Sequence, residues 1–202
     1  MNKGDSTATK QSTDFAAHID GHSAAVEAAK SSIDAAVNRA GEALLEALRA
    51  GRRVYCFGNG GSATQASHLA GELTGRFKVD RAPLPAIALS SDPATVTCIA
   101  NDYGFGAVFE RQIEALATVG DIAIGMTTSG RSENIVRGLR AARSRGAITI
   151  ALTGAAGLIG GEADHLIAVP SDETAYVQEI HLIVLHIWCR AIDREFAPQR
   201  SG

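Results

Sequence analysis

The sequence predicts an α/β fold: a three-layer sandwich with a central parallel five-stranded sheet flanked by helices. Two observations lead there. Short apolar runs alternate with helix-compatible stretches along most of the 202 residues, the pattern of strands joined by helical crossovers. Two of those runs also pass through a tight polar turn straight into a helix, as parallel strands feeding crossover helices do.

Taken in order, residues 14–50 are Ala-rich, with Ile19, Val26, Ile33, Val37, Leu44, Leu45 and Leu48 at helical spacing. They predict one long helix or two, ending at Gly51. A strand at 53–57 and a helix from Ala63 to about residue 75 follow. Ala86 to Leu89 reads as a strand behind Pro83 and Pro85. Pro93 to Ala100 reads as a short helix, and 101–106 (NDYGFG) as a loop. Phe109 to Ala117 is helical, Asp121 to Met126 a buried strand, and 132–145 helical. Ala147 to Leu152 and His165 to Val169 are the last strands. Ala175 to Phe196 is a long helix, apolar on most of its circumference, which predicts burial, in part by another subunit. One domain over 14–196 fits the length, with polar tails at 1–13 and 197–202; the first tail is expected to be disordered.

Two loops carry the chemistry. Val54 to Phe57 meets Gly58-Asn59-Gly60-Gly61-Ser62 and then a helix. Helix N-termini offer free N–H groups to anions, and glycine lets a ligand approach the backbone. A bare βα turn explains this loop equally well on its own. The second loop, Thr127-Thr128-Ser129-Gly130-Arg131-Ser132, puts four hydroxyls in six residues at another helix mouth. Capping needs only one, so phosphate oxygens are the expected partners, although Ser132 with Glu133 and Asn134 also suits capping.

Polar residues also stand where a core is expected. His68 and Glu72 are four apart on the helix after the first loop and share a face. They suit metal binding or proton transfer, and equally a plain surface pair. Gln178, His181 and His186 lie on the apolar last helix, and three buried polar groups there call for a shared partner. Periodicity does not choose between the histidines: at ~100° per residue they fall on opposite sides of Gln178.

Bulk properties narrow the function classes. Net charge is −3, so no polyanion partner and no nucleic acid is expected. Arg137, Arg140, Arg143 and Arg145 read as a solvated helix face. Cys56, Cys98 and Cys189 lie in apolar contexts without a CxxC and read as buried free thiols of a cytoplasmic protein. No apolar run is long enough to span a membrane.

The segments GNGGSATQASHLAGELTGRF (58–77), PLPAIALSSD (83–92), IANDYGF (99–105), TTSGRS (127–132), ALTG (151–154) and VQEIHLIVLH (177–186) resemble the sugar isomerase (SIS) domain. Within it they resemble the phosphoheptose, or sedoheptulose 7-phosphate, isomerases. The resemblance covers residues 14–196. It implies a flavodoxin-like or Rossmann-like sheet and a homotetramer with active sites at subunit interfaces. It also implies conversion of sedoheptulose 7-phosphate to D-glycero-D-manno-heptose 7-phosphate, the first step toward ADP-heptose and the lipopolysaccharide core. By motif, Glu72 and His186 resemble the acid/base pair of an enediol mechanism. His68, Glu72, Gln178 and His186 resemble the zinc ligands of some members. Ser62, Thr127, Thr128, Ser129 and Ser132 resemble phosphate-binding hydroxyls. Asn59, Gly60, Gly61, Arg76, Asn101, Asp102 and Gln178 resemble the remaining substrate contacts. Two positions depart from the pattern: Ala175 and Gln65 stand where some members carry Asp, with Glu173 or Asp172 as substitutes for the former.

Three other readings compete. A non-catalytic SIS adaptor that binds the bacterial replication initiator would lack Glu72 and His186. A sugar-phosphate-sensing regulator would need a DNA-binding module, and residues 1–50 show no basic helix-turn-helix. An isomerase of another sugar phosphate differs only in pocket shape.

Overall fold

The structure, a computed structural model, describes residues 14–198; the tail at 1–13 and most of that at 197–202 fall outside them. Helices α1 (Phe15–Ser32) and α2 (Asp34–Arg49) precede β1 (Val54–Gly58) and α3 (Gly61–Thr74). Next come β2 (Ala86–Ala88), α4 (Pro93–Tyr103), a single 3-10 turn at Phe105–Ala107 and α5 (Val108–Leu116). Strand β3 (Ile122–Thr127), α6 (Glu133–Ser144), β4 (Ile148–Thr153), β5 (His165–Ala168) and α7 (Thr174–Phe196) complete the order.

The five strands are all parallel, in the order β2-β1-β3-β4-β5. Strands β1 and β3 are buried at every residue, which is why they read as unbroken apolar runs. Their side chains alternate between two cores. Val54, Cys56, Ile122, Ile124, Met126, Ile150 and Leu152 pack with α1, α2, α3 and α7. Tyr55, Phe57, Ala123 and Ala151 pack with α5 and α6 on the other face. Trp188 of α7 is fully buried, and its indole N–H donates to the Val37 carbonyl at 3.1 Å, which fixes α2 to α7.

Three expectations change, and one left open is settled. The N-terminal helical stretch is two helices, parted at Ile33. Helix α4 runs through Asn101, Asp102 and Tyr103, because no residue between its Asp92 cap and Gly104 interrupts it; Gly104, at φ +83°, does. Cys98 is exposed rather than buried, since α4 lies on the surface and buries none of its residues; Cys56 and Cys189 are buried. Helix α7 is not buried all round: Ile183 and Ile187 are exposed and line a groove with Val26, Ala29, Ile33 and Val37 of the first two helices and their junction. The arginines of α6 are largely engaged. Arg137 pairs with Glu110 and Glu133, and Arg143 with Glu162. No helix among the described residues is long and apolar enough to cross a membrane.

The end of α3 is held by an ion pair the sequence did not suggest. Arg81 is buried, and its guanidinium donates to the carbonyls of Glu72 at 2.7 Å and Leu73 at 3.0 Å. These are two of the acceptors a helix C-terminus leaves open. Asp193 of α7 balances the charge at 3.3 Å and accepts from the Lys78 and Val79 amides. Removing the carboxylate strands a buried guanidinium, which costs about 3–5 kcal/mol. Asp193→Ala is therefore expected to lower the unfolding free energy by about that amount in urea denaturation, and Asp193→Asn by less.

Candidate functional site

In strand order 2-1-3-4-5 the chain leaves β1 toward one edge and returns to β3 on the other side. That reversal opens a crevice at the carboxyl ends of β1 and β3. Both chemistry-bearing loops meet there, because Gly58 pairs with Met126 in register. They are tied side chain to side chain: Asn59 and Asn134 exchange two amide hydrogen bonds, each 2.9 Å. Asn134 is buried. Its role was not visible in a sequence where it reads as part of a cap.

The second loop folds its hydroxyls together. Thr127 lies 3.1 Å from Ser132 and 3.5 Å from Ser129, oxygen to oxygen, and the Arg131 amide donates to the Ser129 hydroxyl at 3.3 Å. Ser132 occupies the N-cap position of α6, yet its hydroxyl makes no capping bond. The first-turn amides of α6 and the hydroxyl cluster therefore face one place, as an anion site requires. Gly130 makes the turn possible. It has φ +66°, and a Cβ there would lie 1.8 Å from the Gly157 carbonyl oxygen. The Thr128 main-chain carbonyl accepts from Gly154, binding the loop to the end of β4. Ser62 is buried in the first turn of α3.

The second half of the site lies along α3, where Gly61, Gln65, His68 and Glu72 form one stripe at helical spacing. Helix α7 runs beside that stripe in the same direction. The Gln178 amide lies against Gly61, so closely that a Cβ at Gly61 would meet its Nε2 at 2.7 Å. The Gln65 Nε2 donates to the Gln178 carbonyl at 2.6 Å. His68 Nε2 and His186 Nε2 are 3.0 Å apart, and Glu72 Oε1 is 3.6 Å from the same His68 nitrogen. Phe77 stacks on His186 with ring centroids 5.4 Å apart. Burial, and then the neighbouring His68, hold the His186 imidazole below the usual histidine range. At neutral pH it is the neutral form that meets its partners, able to take a proton on one nitrogen and give one from the other.

The structure brings His68, Glu72 and His186 together, so the His68–Glu72 pair on α3 has a third neighbour on α7. Two imidazole nitrogens and a carboxylate oxygen are zinc donors in kind, and their spacings approach the ~3.3 Å edges of a tetrahedral site. The set is open, however. Gln178 turns its amide toward Gly61, and among the described residues no group of three or more His, Cys, Asp or Glu is arranged to hold a metal.

Other expected residues stand apart. Among the described residues Gln178, His181 and His186 share no hydrogen-bond partner. His181 is fully buried and reaches the Thr153 carbonyl at 3.2 Å, while His186 faces α3. Arg76 is exposed and donates to the Lys78 carbonyl; the buried arginine is Arg81. Asn101 and Asp102 are bonded to each other at the end of α4, and no hydrogen bond among the described residues links them to either loop. Glu173 serves as the N-cap of α7.

A crevice lined with hydroxyls and helix N-termini, running into a His/Glu cluster, defines a sugar-phosphate site on an α/β sheet. The SIS domain model matches residues 17–154. A phosphoheptose isomerase of Aquifex aeolicus is 51% identical over 156 residues, covering 77% of this chain and 81% of that protein. The solved phosphoheptose isomerase of Neisseria gonorrhoeae superposes with a TM-score of 0.81 at 37% identity, covering 89% of this chain and 96% of that one. That of Francisella tularensis gives 0.82 at 36%, covering 88% and 95%. The chain belongs to the SIS-domain family and, within it, to the phosphoheptose isomerases, a family of sugar-phosphate isomerase enzymes.

Burial pushes His181 down to about 4, opposed only by its bond to Thr153. The unfolded chain keeps the ordinary value of about 6.5 and takes up a proton that the native state refuses. Stability is thus full above about pH 6.5 and is lost between there and about pH 4, by up to about 3 kcal/mol. His181→Gln keeps a donor for Thr153 and is expected to flatten that slope in urea titrations at about pH 7 and about pH 4.5.

Proposed function

We propose that the chain converts sedoheptulose 7-phosphate to D-glycero-D-manno-heptose 7-phosphate, by proton transfer through an enediol. The observation that carries this is the continuity of one helix. Helix α3 opens in the phosphate-type crevice and carries His68 and Glu72 on the face opposed by His186. The phosphoheptose isomerases that this chain resembles favour the same substrate class.

In this reading the 127–132 hydroxyls and the α6 amides hold the 7-phosphate. That anchors one end of the sugar and leaves the carbonyl end beside α3. Glu72 takes the proton from C1 and returns it to C2. His186 moves the proton between O1 and O2, for which its neutral, two-faced imidazole is suited. Phe77 covers one face of that ring and limits the orientations it can adopt. His68, Glu72, Gln178 and His186 are the residues that would hold a zinc ion, and the chemistry it would supply is polarisation of the carbonyl.

The exposed Ile183 and Ile187 stripe, beside α1 and α2, supports assembly as a homotetramer that covers this groove. A cytoplasmic place at the start of ADP-heptose and lipopolysaccharide core synthesis follows from the substrate. The initiator-binding adaptor is disfavoured because Glu72 and His186 are both present and both in the cluster.

Turnover of sedoheptulose 7-phosphate, with and without added zinc, tests the reading. Glu72→Ala and His186→Ala are each expected to lower kcat by about 10²–10⁴-fold while the melting temperature stays within a few degrees. Near-normal turnover in either variant would remove that residue from the acid/base pair. Ile187→Asp is expected to shift the assembly toward smaller species in sedimentation velocity; an unchanged distribution would place the interface elsewhere.

A further inference from the structure

We infer that Gln65 is a positioning residue: its amide hydrogen bond to the Gln178 carbonyl sets the register of α7 along α3 and so brings His186 opposite His68. This rests on the isomerase reading above for its kinetic test, though not for its structural one.

Three contacts step along the two parallel helices in the same direction. Gly61 meets the Gln178 amide, Gln65 meets the Gln178 carbonyl, and His68 meets His186. The spacing is seven residues on α3 and eight on α7. The first contact is steric and blocks approach without preventing a slide. The last is the imidazole–imidazole contact whose placement is to be explained. The middle one is a short directed bond, at 2.6 Å, from a side chain to a main-chain atom that moves rigidly with α7. Sliding one residue along an α-helix is about 1.5 Å of rise with about 100° of rotation, enough to break a 3.0 Å contact one turn away.

The orientation of the Gln65 amide is fixed by chemistry, because only its NH₂ can donate to a carbonyl. That leaves Gln65 Oε1 buried with no hydrogen-bond partner among the described residues. An unsatisfied buried acceptor is unfavourable. A residue kept only for stability would not carry it, whereas one kept to direct a donor at Gln178 must. An ionised Asp here would have no donor and could not make this bond.

The test is Gln65→Met, which keeps the length and drops both donor and orphan acceptor, beside Gln65→Glu, which sets a carboxylate against the carbonyl. The expected result is a Gln65→Met protein with a melting temperature no lower than wild type. Its kcat for sedoheptulose 7-phosphate falls at least about tenfold, with KM changed less than about threefold. Gln65→Glu is expected to lose at least as much kcat. In a crystal structure of Gln65→Met, the two imidazole nitrogens are expected to separate beyond hydrogen-bonding distance. Unchanged His68–His186 spacing would overturn the inference whatever the enzyme turns over. So would kcat within about twofold of wild type, or a rise in KM alone, which would make Gln65 a substrate contact. Wild-type protein inert toward this sugar phosphate would instead count against the isomerase reading, and the His68–His186 spacing in the Gln65→Met crystal structure would still decide the role of Gln65.

Discussion

Helix α7 lies along α3 in a register that no backbone ladder fixes, and the site depends on it. Strands are locked by their hydrogen bonds, residue by residue. Two packed helices are held only by side chains, and a small slide is resisted weakly unless something directed opposes it. Here the far end of α3 is tied to α7 through Arg81 and Asp193, a buried pair that also closes the open carbonyls of Glu72 and Leu73. The near end is set by Gly61 and Gln65 against Gln178. Between these ties His68 and His186 face each other with Glu72 alongside. Glu72 therefore has its backbone anchored by Arg81 and its carboxylate presented to the cluster, so the ion pair bears on chemistry as well as on stability.

The sheet supplies the other half. Its crossover between β1 and β3 brings together two loops nearly seventy residues apart, and the reciprocal Asn59–Asn134 pair keeps them together. Helix α3 then acts as a ruler. At 1.5 Å per residue, His68 lies about 9 Å and Glu72 about 15 Å beyond Ser62 along the axis. A ligand with a phosphate at one end and a reacting carbon at the other suits such a site, whereas a lone phosphate would use only the crevice.

Much of the fold was legible because local pattern and tertiary role agree. Strands β1 and β3 read correctly since both faces are covered, and the strand–turn–helix form of the two loops read correctly since glycine breaks each apolar run just before a helical pattern. Legibility failed where a partner is distant. Nothing local distinguishes His181, satisfied by the end of β4, from His186, which faces α3. Arg81 and Asp193 look like ordinary surface charges until α7 returns across the end of α3. Ser132 has the identity and position of a capping residue, yet its hydroxyl turns to Thr127. Cys98 looked buried because its neighbours are apolar, but α4 sits on the surface. The motif named His68, Glu72 and His186 together; why they meet is a matter of Gln65, read only as a departure from the pattern, Gly61, read only as a substrate contact, and Arg81, to which no role was given.

In the proposed reaction a carboxylate and an imidazole, brought together by this helix pairing, move a proton between adjacent carbons of a sugar phosphate. The most direct measurement is isomerisation of sedoheptulose 7-phosphate in deuterated water, with the product analysed by NMR. The account predicts deuterium at C2 of the aldose, carried there by a base that exchanges with solvent. Efficient turnover by Glu72→Ala with undiminished deuterium at that carbon would mean that another group carries the proton, and the acid/base assignment of Glu72 would be wrong.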